Sequence, residues 1–264
     1  MGELAQRSHK ELSGAANNIA EARPFTAVRH YFGRLGSFVK AAKTLAAAAT
    51  RLHSLFENPQ VVSQSSFGPI QGPAMSRKTD LHSIMGRMLV DETQIPQYQE
   101  ALDFLDSKFG LCQLLRAQYK DKNFRPRVHA ELIILEKFYD GQLEFVDRDR
   151  YIGCSKPACY CCYYYICAHP GNFVRPACHN NIYLNWRPPD IGDDPAGWRL
   201  KRRKEVLNDL LKKIRWDALE HIRTRRGRSY WQPDSTTGIT ASVGLLDLSL
   251  SDGLDPELEV MPQE

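Results

Sequence analysis

No stretch of this 264-residue chain approaches the 18 or more consecutive apolar residues of a membrane-spanning helix, so neither a helical span nor a membrane partner is expected. The opening MGELAQRSHKEL lacks the apolar centre of a secretory signal, and Gln6 stands where N-myristoylation needs a Ser or Thr. The expected location is therefore intracellular, cytoplasmic or nuclear. Cysteine is scarce outside one short segment: five of the seven fall between residues 154 and 167, leaving Cys112 and Cys178 elsewhere. A secreted disulfide framework would spread an even number along the chain, so clustered thiols point instead to metal binding or catalysis. From Ser229 to Glu264 there is no Lys or Arg against seven acids, so residues 1–228 carry a net +11 of the chain's overall +4. A basic body with an acidic tail results.

What is present reads first as helices. Apolar residues recur in steps of three and four from Phe25 to Phe56, one face of a long amphipathic helix. The Pro, Ser, Gly and Gln of residues 57–80 read as a linker. Helical periodicity resumes over 81–89 and 97–119, with Cys112 on the apolar side as a small core residue. Further on, RVHAELIILEKFYDG predicts a helix from about His129 to a stop at Gly141, and Pro157 marks where a second begins in ACYCCYYYICAH. Strands are expected at 151–154 and at 181–186 (NIYLNW), and a last helix at 197–224. Helices alternating with strands predict an α/β layer.

The chemistry lies in that middle region. A hydrolytic zinc site needs three protein ligands, an open position and a base that is not itself a ligand. His129 and Glu131, two apart at a helix start, can reach one point beyond the helix end, the imidazole as ligand and the carboxylate over the water. Cys159 and Cys162, three apart in a first helical turn, share a face, and the positive helix end favours both thiolates. Cys161 is rotated about 100° from Cys162 and is expected in the core, with Cys154 and Cys167 as packing residues. H-x-E, 27 intervening residues and C-x-x-C make the pattern of a zinc deaminase.

The segments VHAELIILEKF, YIGCSKPACYCCYYYICAHPGNF and IYLNWRPPD resemble the cytidine deaminase-like superfamily, and more closely its fungal predicted nucleic-acid/nucleotide deaminases, over roughly residues 120–235. The resemblance implies an α-β-α sandwich with the two metal-bearing helices side by side on a central sheet. It implies His129, Cys159 and Cys162 as ligands of Zn2+ and Glu131 as proton shuttle. It also implies hydrolytic deamination of a base in a nucleoside, nucleotide or nucleic acid. Only about nine residues separate Tyr119 from His129, where such a fold carries a β-hairpin, so the hairpin is missing, rearranged or drawn from Val61-Val62.

The expected organisation is an N-terminal helical region over 1–118, a zinc deaminase-like α/β domain over 119–232 and a disordered acidic tail over 233–264. Cys178 or His179 could instead close a four-ligand structural zinc site; otherwise His179 and Asn180 are candidates for a pocket rim that touches substrate. His169 is read as a helix C-terminal residue, and at most one of Tyr160, Tyr163, Tyr164 and Tyr165 as a base-stacking ring. Between Arg199 and Arg228 twelve basic residues face four acidic ones, a solvated helix face or a phosphate-attracting one. Two other classes compete: a catalytically inactive zinc-stabilised nucleic-acid-binding module, and a scaffold that forms homo-oligomers through the 25–56 helix.

Overall fold

A computed structural model describes residues 22–226. The expectations for the acidic tail and for the polar first residues lie outside the described residues, as does the end of the basic stretch at 227–228. The described chain divides into two units, one reaching to Val62 and the other starting at Ser63.

In the first unit, α1 (Ala22–Arg51) is a 30-residue helix, and the short α2 (His53–Phe56) follows. The periodicity over 25–56 thus forms helix, but not one helix. Leu52, at φ −118° and ψ 45°, leaves the helical region and divides it. Phe32, Leu35, Phe38 and Leu45 stand exposed on α1. Among the described residues no helix is long and apolar enough to cross a membrane.

The second unit opens with α3 (Leu81–Gly86), capped by Asp80, whose carboxylate accepts the Ser83 N–H at 2.8 Å. The helix expected over 97–119 is two, α4 (Ile95–Phe109) and α5 (Leu111–Lys120). Gly110 sits between them at φ 64°, a left-handed conformation open to glycine, while Asp106 turns back to accept the Cys112 N–H at 2.7 Å. Then come α6 (Ala130–Asp140), α7 (Tyr160–Ala168) and α8 (Trp198–Arg223). These three build the core around Leu132, Leu135, Cys162, Tyr165 and Val206. The α7 helix buries Tyr160, Cys161, Cys162, Tyr165 and Ile166, residues on more than one of its sides, so it runs through the middle of the unit.

A buried ionic cluster ties these helices together. Glu136 of α6 accepts from the Tyr165 hydroxyl of α7 at 2.6 Å and from Arg202 Nη2 of α8 at 2.6 Å, and His169 Nε2 stands 3.5 Å away. Arg202 Nη2 also meets Asp140 at 2.8 Å. Burial alone would raise the Glu136 carboxyl, but the nearby His169 ring, the bond from Tyr165 and the Arg202 charge hold it below the usual carboxylate range.

The α-β-α sandwich is not there. Among the described residues there is no strand, and the expected strands at 151–154 and 181–186 do not form. Two isolated parallel bridges, Arg127 with Trp186 and Ala158 with Cys178, stand where a sheet was expected. The reason is local. Each first segment becomes helix within three residues of its bridge, α6 after His129 and α7 after Cys159. The second segments lose register: Asn180 adopts φ 58°, and the Trp186 N–H bonds back to Tyr183 O in a turn. Pro126 and Pro157 precede the bridging residues, and neither has the N–H that a strand on the opposite edge would need. Further upstream, Asp147 and Arg148 at φ 52° and 61° bend the chain before Tyr151. Val61 and Val62 are exposed and form no hairpin.

Candidate metal centre

The bridges do the work of positioning that a sheet would otherwise do. The pair at Arg127 (N–H to Asn185 O 2.8 Å, O from Arg187 N–H 3.0 Å) fixes the chain just before His129. The pair at Ala158 (N–H to Ala177 O 2.7 Å, O from His179 N–H 3.1 Å) fixes it just before Cys159. His129 and Cys159 each take the N-cap position of the helix that follows, with extended backbone, yet neither side chain caps its own helix. Their donor atoms are thereby left for another use, beside the positive ends of both helices.

They use it on each other. His129 Nδ1 lies 3.5 Å from Cys159 Sγ and 3.4 Å from Cys162 Sγ, and the three donor atoms all fall within 4.8 Å of one another. Zn–N and Zn–S bonds of about 2.05 and 2.3 Å at a tetrahedral angle separate nitrogen from sulfur by about 3.6 Å. The two observed distances therefore match tetrahedron edges, and one imidazole with two thiols is a donor set suited to zinc. Glu131, in the first turn of α6, holds Oε1 3.9 Å from His129 Nδ1 with its side chain 16% exposed, beside the three-membered group and outside it.

Hydrogen bonding to Cys162 and then to His129 lowers the Cys159 thiol to about 5, against the cost of its burial. Cys162 moves the other way, raised first by complete burial and then by its partner thiol and Glu131. His129 is raised, chiefly by its bond to Cys159. Once one of the two buried sulfurs is ionised, it thus opposes ionisation of the other. The residues fit the group the spacing implied.

Trp186 adds a contact that pattern reading missed: its indole Nε1–H donates to Cys162 Sγ at 3.2 Å. The only sequence signal was an aromatic at the end of NIYLNW, read as strand. The fourth-ligand alternative does not form, since neither Cys178 nor His179 joins the group, and Cys178 Sγ instead bonds with Asn180.

His129, Glu131 and Cys159 open onto a cleft of about 560 Å³, whose wall also includes Cys154, Lys156, His179, Tyr183 and Asn185. His179 is thus at the cleft, whereas the exposed Asn180 does not line it. The His179 Nδ1 accepts the Asn181 N–H at 3.1 Å, which puts the proton of the neutral ring on Nε2. Cys154, expected to pack, is exposed at the cleft, while Cys161 is buried as expected and its thiol is pushed up to about 12 by burial. His169 is the buried C-cap of α7. Tyr160 and Tyr165 bond to Asp217 and Glu136 and serve the packing of α7.

Residues 128–190 match the model of a family described as OTT_1508-like deaminase. The matched stretch runs from just before His129 through both cysteines and Trp186, so the segment similar to that deaminase family contains the whole cluster. No curated protein and no solved structure matches the chain.

Proposed function

We infer that the chain is a zinc-dependent hydrolytic deaminase with the reaction chemistry of the cytidine deaminase-like enzymes, acting on an amino-bearing nucleobase. One observation carries the reading: an imidazole and two cysteine sulfurs, 30 and 33 residues apart in sequence, meet at tetrahedral-edge distances inside the segment that matches a deaminase family. When bound, the cation supplies Lewis acidity that makes water nucleophilic near neutral pH. His129, Cys159 and Cys162 would hold it.

The rest falls to this chain's side chains. Glu131 takes a proton from the attacking water as its oxygen bonds to the ring carbon that bears the amino group, C4 of a cytosine or C6 of an adenine. It returns that proton to the adjacent ring nitrogen. The carbon–nitrogen bond then breaks, the second water proton leaves with ammonia, and the ring keeps a carbonyl. His179, with its proton on Nε2, offers a donor to the substrate from the cleft wall. The cleft is open and larger than a base needs, and Lys156 lines it, which supports a nucleotide or a single nucleic-acid strand as substrate. Lys201, Lys204 and Arg215 stand exposed on α8 as further basic groups that could attract phosphates.

The test joins metal content to ammonia release from cytidine, adenosine and single-stranded DNA. Wild type is expected to hold about one zinc and to release ammonia from one of the three. Glu131→Ala should keep the zinc and lose the release; Cys159→Ser should lose both. Ammonia release that survives in Glu131→Ala, or wild-type protein that binds no zinc, refutes the proposal. Zinc binding with no Glu131-dependent turnover on any substrate would identify a binding module instead.

A further inference from the structure

We propose that Trp186 is a positioning residue of the metal centre, its indole N–H holding the sulfur of Cys162 in place and drawing charge from it. The inference rests on the zinc reading above. Its basis is the Nε1–H to Sγ distance of 3.2 Å at a sulfur that is completely buried. A neutral thiol is a weak acceptor, whereas a thiolate is a strong one, so a donor aimed at this atom is best used when Cys162 is ionised. Burial makes such a donor valuable, because Cys162 is completely enclosed and bulk water cannot supply a bond to its sulfur.

The donor is rigid for reasons visible in the fold. The Trp186 backbone is bridged to Arg127, two residues before His129, so one residue touches both halves of the site, the segment that delivers the imidazole and the sulfur from α7. On its other side, Arg187 is locked by a two-pronged pair with Asp190 and by a 2.9 Å bond to Gly68 O. The indole also lies 6.4 Å from the Tyr165 ring on α7. A fixed donor sets the side-chain angle of Cys162 and lowers the electron density of its sulfur. Held this way, the sulfur would donate less charge to a cation bound by His129, Cys159 and Cys162.

The experiment uses the full chain loaded with Co2+, whose bonds to thiolate sulfur absorb in the near ultraviolet. Trp186→Phe keeps an aromatic ring and removes the N–H. Without that hydrogen bond the sulfur lone pairs rise in energy. The sulfur-to-cobalt band should then move to longer wavelength, and Co2+ retention against a competing chelator should weaken about tenfold. A band at the wild-type wavelength overturns the proposal, whatever happens to retention. If Trp186→Phe does not fold, benzothienylalanine placed at position 186 keeps the bicyclic shape with sulfur in place of the N–H, and the same shift is expected. The two readings fail separately: no thiolate band in wild-type protein overturns the metal centre itself, whereas a wild-type band unmoved in the variant overturns only the role of Trp186.

Discussion

Glu136→Ala tests the buried cluster on which the site's two helices rest. Glu136 is faced by Tyr165 and His169 from α7, by Arg202 from α8 and by Asp140 on its own helix, and its side chain is 15% exposed. Removing it strands Arg202, 9% exposed at the side chain, with Asp140 as its remaining carboxylate in the cluster. Breaking a buried pair costs about 3–5 kcal/mol, and because Asp140 stays 2.8 Å from the same nitrogen the lower figure, about 3 kcal/mol, is expected near pH 7. The pH dependence has a definite sign. The Glu136 carboxyl is held below its ordinary 4.5, so the folded protein binds this proton less readily than the unfolded chain. Its contribution is therefore complete above pH 4.5 and is lost as pH falls through the lower folded-state value. Urea unfolding of wild type and variant between pH 7 and pH 3.5 should show a constant difference down to about pH 4.5 and a shrinking one below. Converting Arg202 to Met in the same chain should recover part of the loss, because replacing both partners with apolar groups avoids an unpaired buried charge. A difference under about 1 kcal/mol at pH 7, or one that is flat over the whole range, would refute the reasoning.

Three further outcomes follow from other parts of the structure. Gly110→Ala should cost about 1–2 kcal/mol in denaturant unfolding, purely from backbone conformation at φ 64°, since a methyl group there meets nothing closer than Gln113 Oε1 at 3.9 Å. In metal-free protein at pH 8, iodoacetamide should label the exposed Cys154 and leave Cys161 unmodified, as peptide mass mapping will show, because Cys161 is buried with its thiol pushed up to about 12. If single-stranded nucleic acid binds through α8, changing Lys201, Lys204 and Arg215 together to Ala should lower the slope of log affinity against log salt by roughly two to three; an unchanged slope would place the contact elsewhere.

Much of the site was legible because its residues carry their chemistry in type and spacing. The spacing kept the donors together even though Cys159, expected in a first helical turn with Cys162, is instead the extended N-cap residue of α7, as His129 is of α6, with Cys162 and Glu131 in the first turns that follow. Helical periodicity likewise located α6 and α8, each of which buries an apolar stripe, whereas α7, buried on several sides, was located by Pro157 before it and Pro170-Gly171 after it. Breaks in that periodicity were harder to see. Leu52 and Gly110 interrupt helices whose apolar spacing continues across them, because spacing records the face and not the backbone angle of a single residue.

The sheet was misread for a related reason. Short β-prone runs such as NIYLNW need partners to become strands, and partners are a property of the assembled chain. Here a turn at Tyr183, the left-handed Asn180 and helices starting beside each bridge leave two single pairings in place of a ladder. By itself the sequence determined which side chains can bind a cation and which helices carry them, since helical geometry is set within a few residues. Only the tertiary structure decided that Trp186 donates to Cys162, that His179 reaches the cleft while Asn180 does not, and that Glu136 joins three helices. Those contacts join residues 24 to 66 positions apart, and chain closure over such distances is governed by packing rather than by local pattern.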